Sequence, residues 1–305
     1  MKKNESVYGE SSVYPFIKCL FTRALRPALF FVFPTIIYNF FLRQYHSAFL
    51  PGKIPVSKVD HPLDKKIPFV PAWVAIYIDF AQFWIRVVGF FSRRYKRKAY
   101  KPVSDFINST GNLYIFAAQV YTKHLSTTKR PFYISRPRFL MIHILDPHLF
   151  CVPSLHVMIV IHTYLMFNII AKKINCGDEL KEQAREMKEG ALAISQAILF
   201  VKQHSVNCIP AALYAMTCFM PEYFPPKEAE DFTNLLFSPA PAADESLKKL
   251  DVHPSTAPST IIKEEDQTVI KKHILDLYYR FLEEKKTSKS WEAPLINFMK
   301  TYKTE

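Results

Sequence analysis

Residues 155–173 read Leu-His-Val-Met-Ile-Val-Ile-His-Thr-Tyr-Leu-Met-Phe-Asn-Ile-Ile-Ala-Lys-Lys: an apolar run, Leu155–Ala171, without Asp, Glu, Lys or Arg, closed by two lysines. A helix that is apolar all round has no face to offer water and belongs in a large core or a bilayer. Five more runs resemble it: Pro27–Leu42, Ile67–Phe91 (interrupted by Asp79 and Arg86), Phe106–Thr122, Gly190–Val201 and Ser205–Met220. Most are shorter than the ~20 residues that cross a bilayer unaided, so the argument rests on the set and its spacing.

Charge lies between the runs. The 305 residues carry 40 Lys+Arg and 27 Asp+Glu, a net +13. Residues 225–305 hold 12 basic and 14 acidic side chains, which leaves 28 against 13 for residues 1–224 and hides two unlike parts behind a mean hydropathy near zero. If all six runs span, segments 1–26, 92–105 and 172–189 share one side, with clusters such as Arg93, Arg94, Lys96, Arg97, Lys98 and Lys101. The positive-inside rule makes that side the cytoplasm. The opposite side receives 43–66, 123–154 and the turn around Lys202. The alternative is a soluble helical protein, against which stand 26 Phe and 16 Tyr and apolar stretches such as Ala28–Phe33.

Composition removes other classes. Six glycines, with no G-x-G-x-x-G and no G-K-[ST], exclude dinucleotide and P-loop folds. Five cysteines without a C-x-x-C pair imply neither a zinc site nor a disulfide framework. Pro27–Leu42 is followed by Arg43-Gln44-Tyr45 and no small-x-small cleavage site, unlike a cleaved signal peptide. The expected fold is therefore all-α and polytopic. It has a cytoplasmic N-terminus (1–26), a membrane domain of about six transmembrane helices (27–224) and a cytoplasmic tail (225–305).

Within the tail, 238–260 is rich in Pro, Ala, Ser and Thr and reads as a linker. Ile270, Ile274, Leu277, Tyr278, Phe281 and Leu282 then recur at helical spacing, predicting an amphipathic helix over 267–285. Its flanking glutamates disfavour anionic headgroups, so protein contact, with the membrane domain or a partner, is expected of that stripe.

Three segments share the outward ends of the predicted helices: Lys129 to Arg136-Pro137, then Pro153-Ser154-Leu155-His156, then Lys202-Gln203-His204. Singly, each has a structural reading. Lys129 and Arg130 suit interfacial anchors, Ser154 a helix cap, His156 a packing histidine. Together, in this order, they resemble the phosphatidic acid phosphatase type 2 (PAP2) superfamily, whose pattern is K-x6-R-P, P-S-G-H and S-R-x5-H-x3-D. Leu155 in the glycine's place, Lys-Gln before His204 and Ile67-Pro68-Phe69-Val70-Pro71 resemble its inositol-phosphotransferase-like branch. The likeness covers residues 20–224. Ala197 and Ile198 stand in place of Ser-Arg, and Cys208 in place of Asp.

The resemblance implies a membrane lipid-phosphate phosphatase with its site on the outer face. His204 attacks phosphorus to form a phosphohistidine, His156 protonates the leaving alkoxide, and Lys129, Arg136 and Ser154 hold the phosphate. The substrate would be a phospholipid or prenyl phosphate from the bilayer. Transfer of a phosphate headgroup to a lipid alcohol is the second reading, and a non-catalytic lipid- or protein-binding relative the third. The scheme needs no cofactor or metal and no nucleic acid. Lys202, Asn207 and Cys208 are the auxiliary candidates near His204. All five site residues are expected in one pocket, whereas Asp79 and Arg86, two turns apart, are expected to form a structural ion pair.

Overall fold

The computed structural model describes residues 5–50, 52–133, 135–238 and 261–303. The predicted linker therefore lies, apart from Ser238, outside the described residues. The structure is 70% helical, and the α-helices among the described residues are α1 (Tyr14–Phe21), α2 (Arg26–Ile36), α3 (Arg43–Phe49), α4 (Val74–Ile78), α5 (Phe80–Arg94), α6 (Arg97–Tyr121), α7 (Pro137–Leu145), α8 (Leu155–Lys173), α9 (Lys181–Phe200), α10 (Cys208–Phe219), α11 (Pro226–Leu235), α12 (Glu264–Thr287) and α13 (Ala293–Thr301). Two short strands, β1 (Val56–Lys58) and β2 (Leu125–Thr127), pair in parallel with Val56 opposite Leu125.

The run that opened the sequence becomes α8, the centre of the bundle. It touches α5, α6, α9 and α10, and its residues from Leu155 to Phe167 are all buried. Lys172 and Lys173 occupy its last turn, where cations favour the exposed carbonyls. The other apolar runs also fall in helices, some longer than expected. Helix α9 begins nine residues before Gly190, because Glu182 and Arg185 continue it on a solvated face. Pro34 interrupts the hydrogen-bond ladder of α2, and the chain continues through a π-helical stretch (Ile37–Leu42) into α3 without leaving the helical path. Gly111 on α6 admits that helix closely. A Cβ there would lie 2.6 Å from the Phe31 ring.

Two helical stretches, Pro71–Arg94 and α8, are long and apolar enough to cross a membrane, with 72% and 83% of their apolar windows covered by the rest of the chain. Asp79 and Arg86 form the expected pair. The guanidinium donates to both carboxylate oxygens at 2.8 Å and to Gln82 at 3.0 Å, and lies over the Tyr8 ring.

The tail helix forms as predicted, three residues earlier and two later, and Ile270, Ile274, Leu277, Tyr278 and Phe281 are buried, chiefly against α10. Its location corrects the expected topology. His273 bonds Asn207, Asp266 pairs with Lys66, Glu292 pairs with Lys123, and the Tyr302 hydroxyl donates to the Asp60 carbonyl. Of the four partners of the tail, Asp60, Lys66 and Lys123 belong to segments expected on the outward side, and Asn207 lies at the outward end of the sixth run. The tail therefore reaches the end of the bundle that holds the candidate site, whereas the expected topology put the two on opposite sides. The N-terminal segment is likewise packed rather than free, with Glu10 paired to Arg93 and Ser6 to Glu186 at the other end.

Candidate functional site

The end of α9 and the start of α8 meet because the chain turns sharply at Val201–Asn207 before α10. Lys202 adopts a left-handed backbone (φ 53) in that turn, and His148 does the same (φ 62) in the loop before α8. Non-glycine residues hold such angles only where their surroundings fix them. The two turns bring together residues 48 positions apart: His204 Nε2 and His156 Nδ1 lie 3.3 Å from one another. The His156 ring also stacks on Tyr77, at 4.6 Å, and meets Phe80 at 4.2 Å. Phe40, Gln44, His148 and Cys151 complete the walls of a small cavity around the pair.

Ser154 sits at the N-cap position of α8 but its side chain makes no capping bond. Its Oγ and His204 Nδ1 are buried and make no hydrogen bond among the described residues. Most buried polar groups are paired, so these two orphans mark spare hydrogen-bonding capacity at the start of α8 and in the turn before α10.

Of the five expected site residues, the structure brings Ser154, His156 and His204 to one place and leaves out two. Lys129 is exposed and lines a separate cleft with Lys58, Asp60, Asp64 and Lys202. The chain leaving β2 is extended, so successive side chains alternate: Thr128 points in, Lys129 out, Arg130 in. Arg130 is the cation that faces the site, donating to Gln203 Oε1 at 3.1 Å and to the Asp146 carbonyl at 3.0 Å. Arg136 is exposed at the start of α7, whose inward positions are taken by Phe139 and Ile142.

The auxiliary candidates are also redistributed. Lys202 Nζ donates to the carbonyls of Asp64 and Ile67, and Asn207 bonds the Val59 carbonyl and His273. Neither reaches His204 Nδ1. Cys208 begins α10 while His204 lies in the preceding turn, so the two are not related by one turn of helix. The Cys208 thiol meets Cys151 instead.

Motif reading missed a second group. Asp146 and His148 form an ion pair at 3.9 Å, the His148 ring bonds Thr128 Oγ1 at 2.8 Å, and the Cys151 sulfur lies 3.7 Å from His148 Nε2. Burial lowers the affinity of His148 for a proton, but Cys151 and Asp146 outweigh it and raise its pKa to about 10. Burial would also raise Asp146, and the hydrogen bonds and charge of His148 hold it well below the usual carboxylate range instead. Cys151, buried beside Cys208, His148 and His204, is held below the usual thiol range by their hydrogen bonds and charge. The only signal for this group in the sequence is Asp146, His148 and Cys151 falling within six residues just before Pro153.

Electrostatically, the site is a buried His156–His204 pair beside His148 and Arg130, both paired with the Asp146 carboxylate that also lines the cavity. The two imidazoles are the groups there that can exchange a proton or attack an electrophile. Among the described residues no three His, Cys, Asp or Glu side chains are placed to hold a metal ion. No protein-family model, no curated protein and no solved structure matches the chain, so the site is judged on its own geometry.

Proposed function

We propose that this chain is a membrane-bound phosphatase of lipid phosphates, working through a phosphohistidine on His204 as the PAP2 resemblance implies. The observation that supports the reading is the 3.3 Å contact between His204 Nε2 and His156 Nδ1 in a small buried cavity, with the unpartnered Ser154 hydroxyl two positions before His156 in the chain. A phosphate ester entering between the two rings would meet a nucleophile and an acid at once. The bond from His204 nitrogen to phosphorus forms as the ester P–O bond breaks, and His156 gives its proton to the departing alkoxide. Water then attacks the phosphohistidine. A lipid hydroxyl in place of that water gives the phosphotransferase variant.

Two adjustments to the family scheme follow from the geometry. Arg130 takes the phosphate-binding part assigned to Lys129 and Arg136, because a guanidinium suits bidentate contact and already points inward. No carboxylate meets His204 Nδ1, so turnover is expected to be slow. Two span-length helices support a bilayer location, with the tail on the side of the site.

Phosphate release from phosphatidate and from a prenyl diphosphate in detergent micelles tests the reading. The purified protein should release phosphate from at least one of them, and His204→Ala should not. A folded protein inert on both, or a His204→Ala variant as active as the parent, refutes hydrolysis through His204. Inertness combined with saturable binding of either lipid favours the non-catalytic reading instead.

A further inference from the structure

The exposed apolar side chains of this protein are not spread evenly. On the continuous helical path from α2 through the π-helical stretch to α3, Phe30, Phe33, Ile37, Tyr38, Phe41 and Leu42 are exposed. Their spacing of three and four residues is that of one face of a helix. Phe30, 62% exposed, and Ile37, 47% exposed, are far from the few per cent expected of a packed stripe. Beside this path at the site end stands α7, joined to it by the Tyr45 hydroxyl donating to the Ile144 carbonyl at 2.9 Å. Helix α7 exposes Leu140, Met141, Ile144 and Leu145. Helix α1, packed beside α2, adds exposed Ile17, Leu20 and Phe21, with Val13 at its N-cap, to this apolar surface. Elsewhere the perimeter is more mixed: α6 exposes Asn112 and Gln119 beside Ile115, and the outward face of α12 carries charges such as Arg280 beside Val269 and Tyr279.

We infer that the face formed by the Arg26–Phe49 path and α7 is the lipid-contacting side of the molecule, and that its occupant is a phospholipid bilayer. Three features fit that occupant and not a protein partner. The stripe is bounded by Arg23 and Arg26 at one end and Arg43 and His46 at the other. The seventeen helical steps from Arg26 to Arg43 rise about 25 Å, close to the ~30 Å of a hydrocarbon core. Residues 11–59 and 130–145 contain no Asp or Glu, so only cations meet the headgroups at both rims. The inference rests on the bilayer location proposed above and deepens it by naming the contact face. It also differs from a ring of six equally lipid-exposed helices, because it gives the bundle one wet side and one lipid side.

Single tryptophans introduced at exposed positions test it without disturbing the core. The full-length protein would be reconstituted into phosphatidylcholine–phosphatidylglycerol vesicles whose acyl chains are brominated at mid-chain, a contact quencher of indole. Emission added by Ile37→Trp and by Ile144→Trp, relative to the unsubstituted protein, should at least halve in brominated vesicles. Emission added by Asn112→Trp and Arg280→Trp should not change. Equal quenching at all four positions, or quenching at Asn112 and Arg280 alone, overturns the one-sided contact. Vesicle flotation in the same samples separates the two levels of the claim. A protein that does not float refutes the bilayer location itself, whereas one that floats without quenching at Ile37 and Ile144 refutes only this face.

Discussion

Asp79 with Arg86, and His148 with His156 and His204, put polar groups into the same apolar bundle by different rules. At the first, both carboxylate oxygens and the guanidinium are bonded, and Tyr8 covers the cation. Nothing is left for a ligand. At the second, Ser154 Oγ and His204 Nδ1 have no hydrogen-bond partner among the described residues. A closed network is architecture, because each member is expensive to remove and none can be spared. An open one keeps capacity for chemistry at a cost in stability. The difference is invisible in composition, since both groups are polar residues in or beside apolar runs.

The contrast yields opposite expectations for mutation, and the largest concerns the open group. His204→Ala should abolish phosphate release, since loss of a nucleophile costs about 10⁶-fold, with little change in thermal unfolding. A variant that unfolds but keeps its specific activity would place His204 with the architecture. Asp79→Leu should do the reverse, costing about 3–5 kcal/mol of stability by stranding a buried guanidinium. Pairing it with Arg86→Met should recover most of that loss in denaturant titrations. A double variant no more stable than the single would show that the pair has a use beyond structure.

Arg130→Ala should reduce turnover by about 10²-fold, the scale of a lost transition-state donor, while Lys129→Ala and Arg136→Ala stay close to the parent. If Lys129 proves the more sensitive, the cleft rather than the cavity holds the phosphate. The smallest expected effect is in the tail. His273 stacks on His61 at 4.0 Å, and burial first, then the neighbouring His61, lowers its pKa to about 4. Its folded pKa lies below its ordinary ~6.5, so its contribution is full above about 6.5 and declines as pH falls towards 4. Hydrogen exchange over residues 264–287 should therefore quicken as pH falls through that window, after correction for intrinsic rates, and His273→Gln should flatten the response.

Much of this was legible in the chain. Apolar runs mark where the bundle helices lie, because burial demands a continuous apolar surface whatever surrounds it. The stripe from Ile270 to Phe281 announces a docked helix, and His156 and His204 meet as their motif order suggests. What was not legible depends on side-chain parity and on distant neighbours. Whether Lys129 or Arg130 faces the cavity turns on the alternation of an extended segment, which no spacing rule fixes. Asn207 looked like a partner for His204 until the tail, 66 positions later, claimed it through His273. The side on which the tail lies was misread for the same reason. Charge counts assign loops to sides, but they carry no information about a terminal segment that returns along the bundle.

The helical path from Arg26 to Phe49 has one further property. Phe40 and Gln44 line the histidine cavity from its inner flank, while Ile37 and Phe41 stand on its outer flank with no layer of protein between. A wall one helix thick transmits displacement directly. On the proposed bilayer location, any tilt that such a helix took up to match the thickness of the hydrocarbon would also change the width of the cavity, and the bilayer's dimensions would enter the geometry of the site as a mechanical variable.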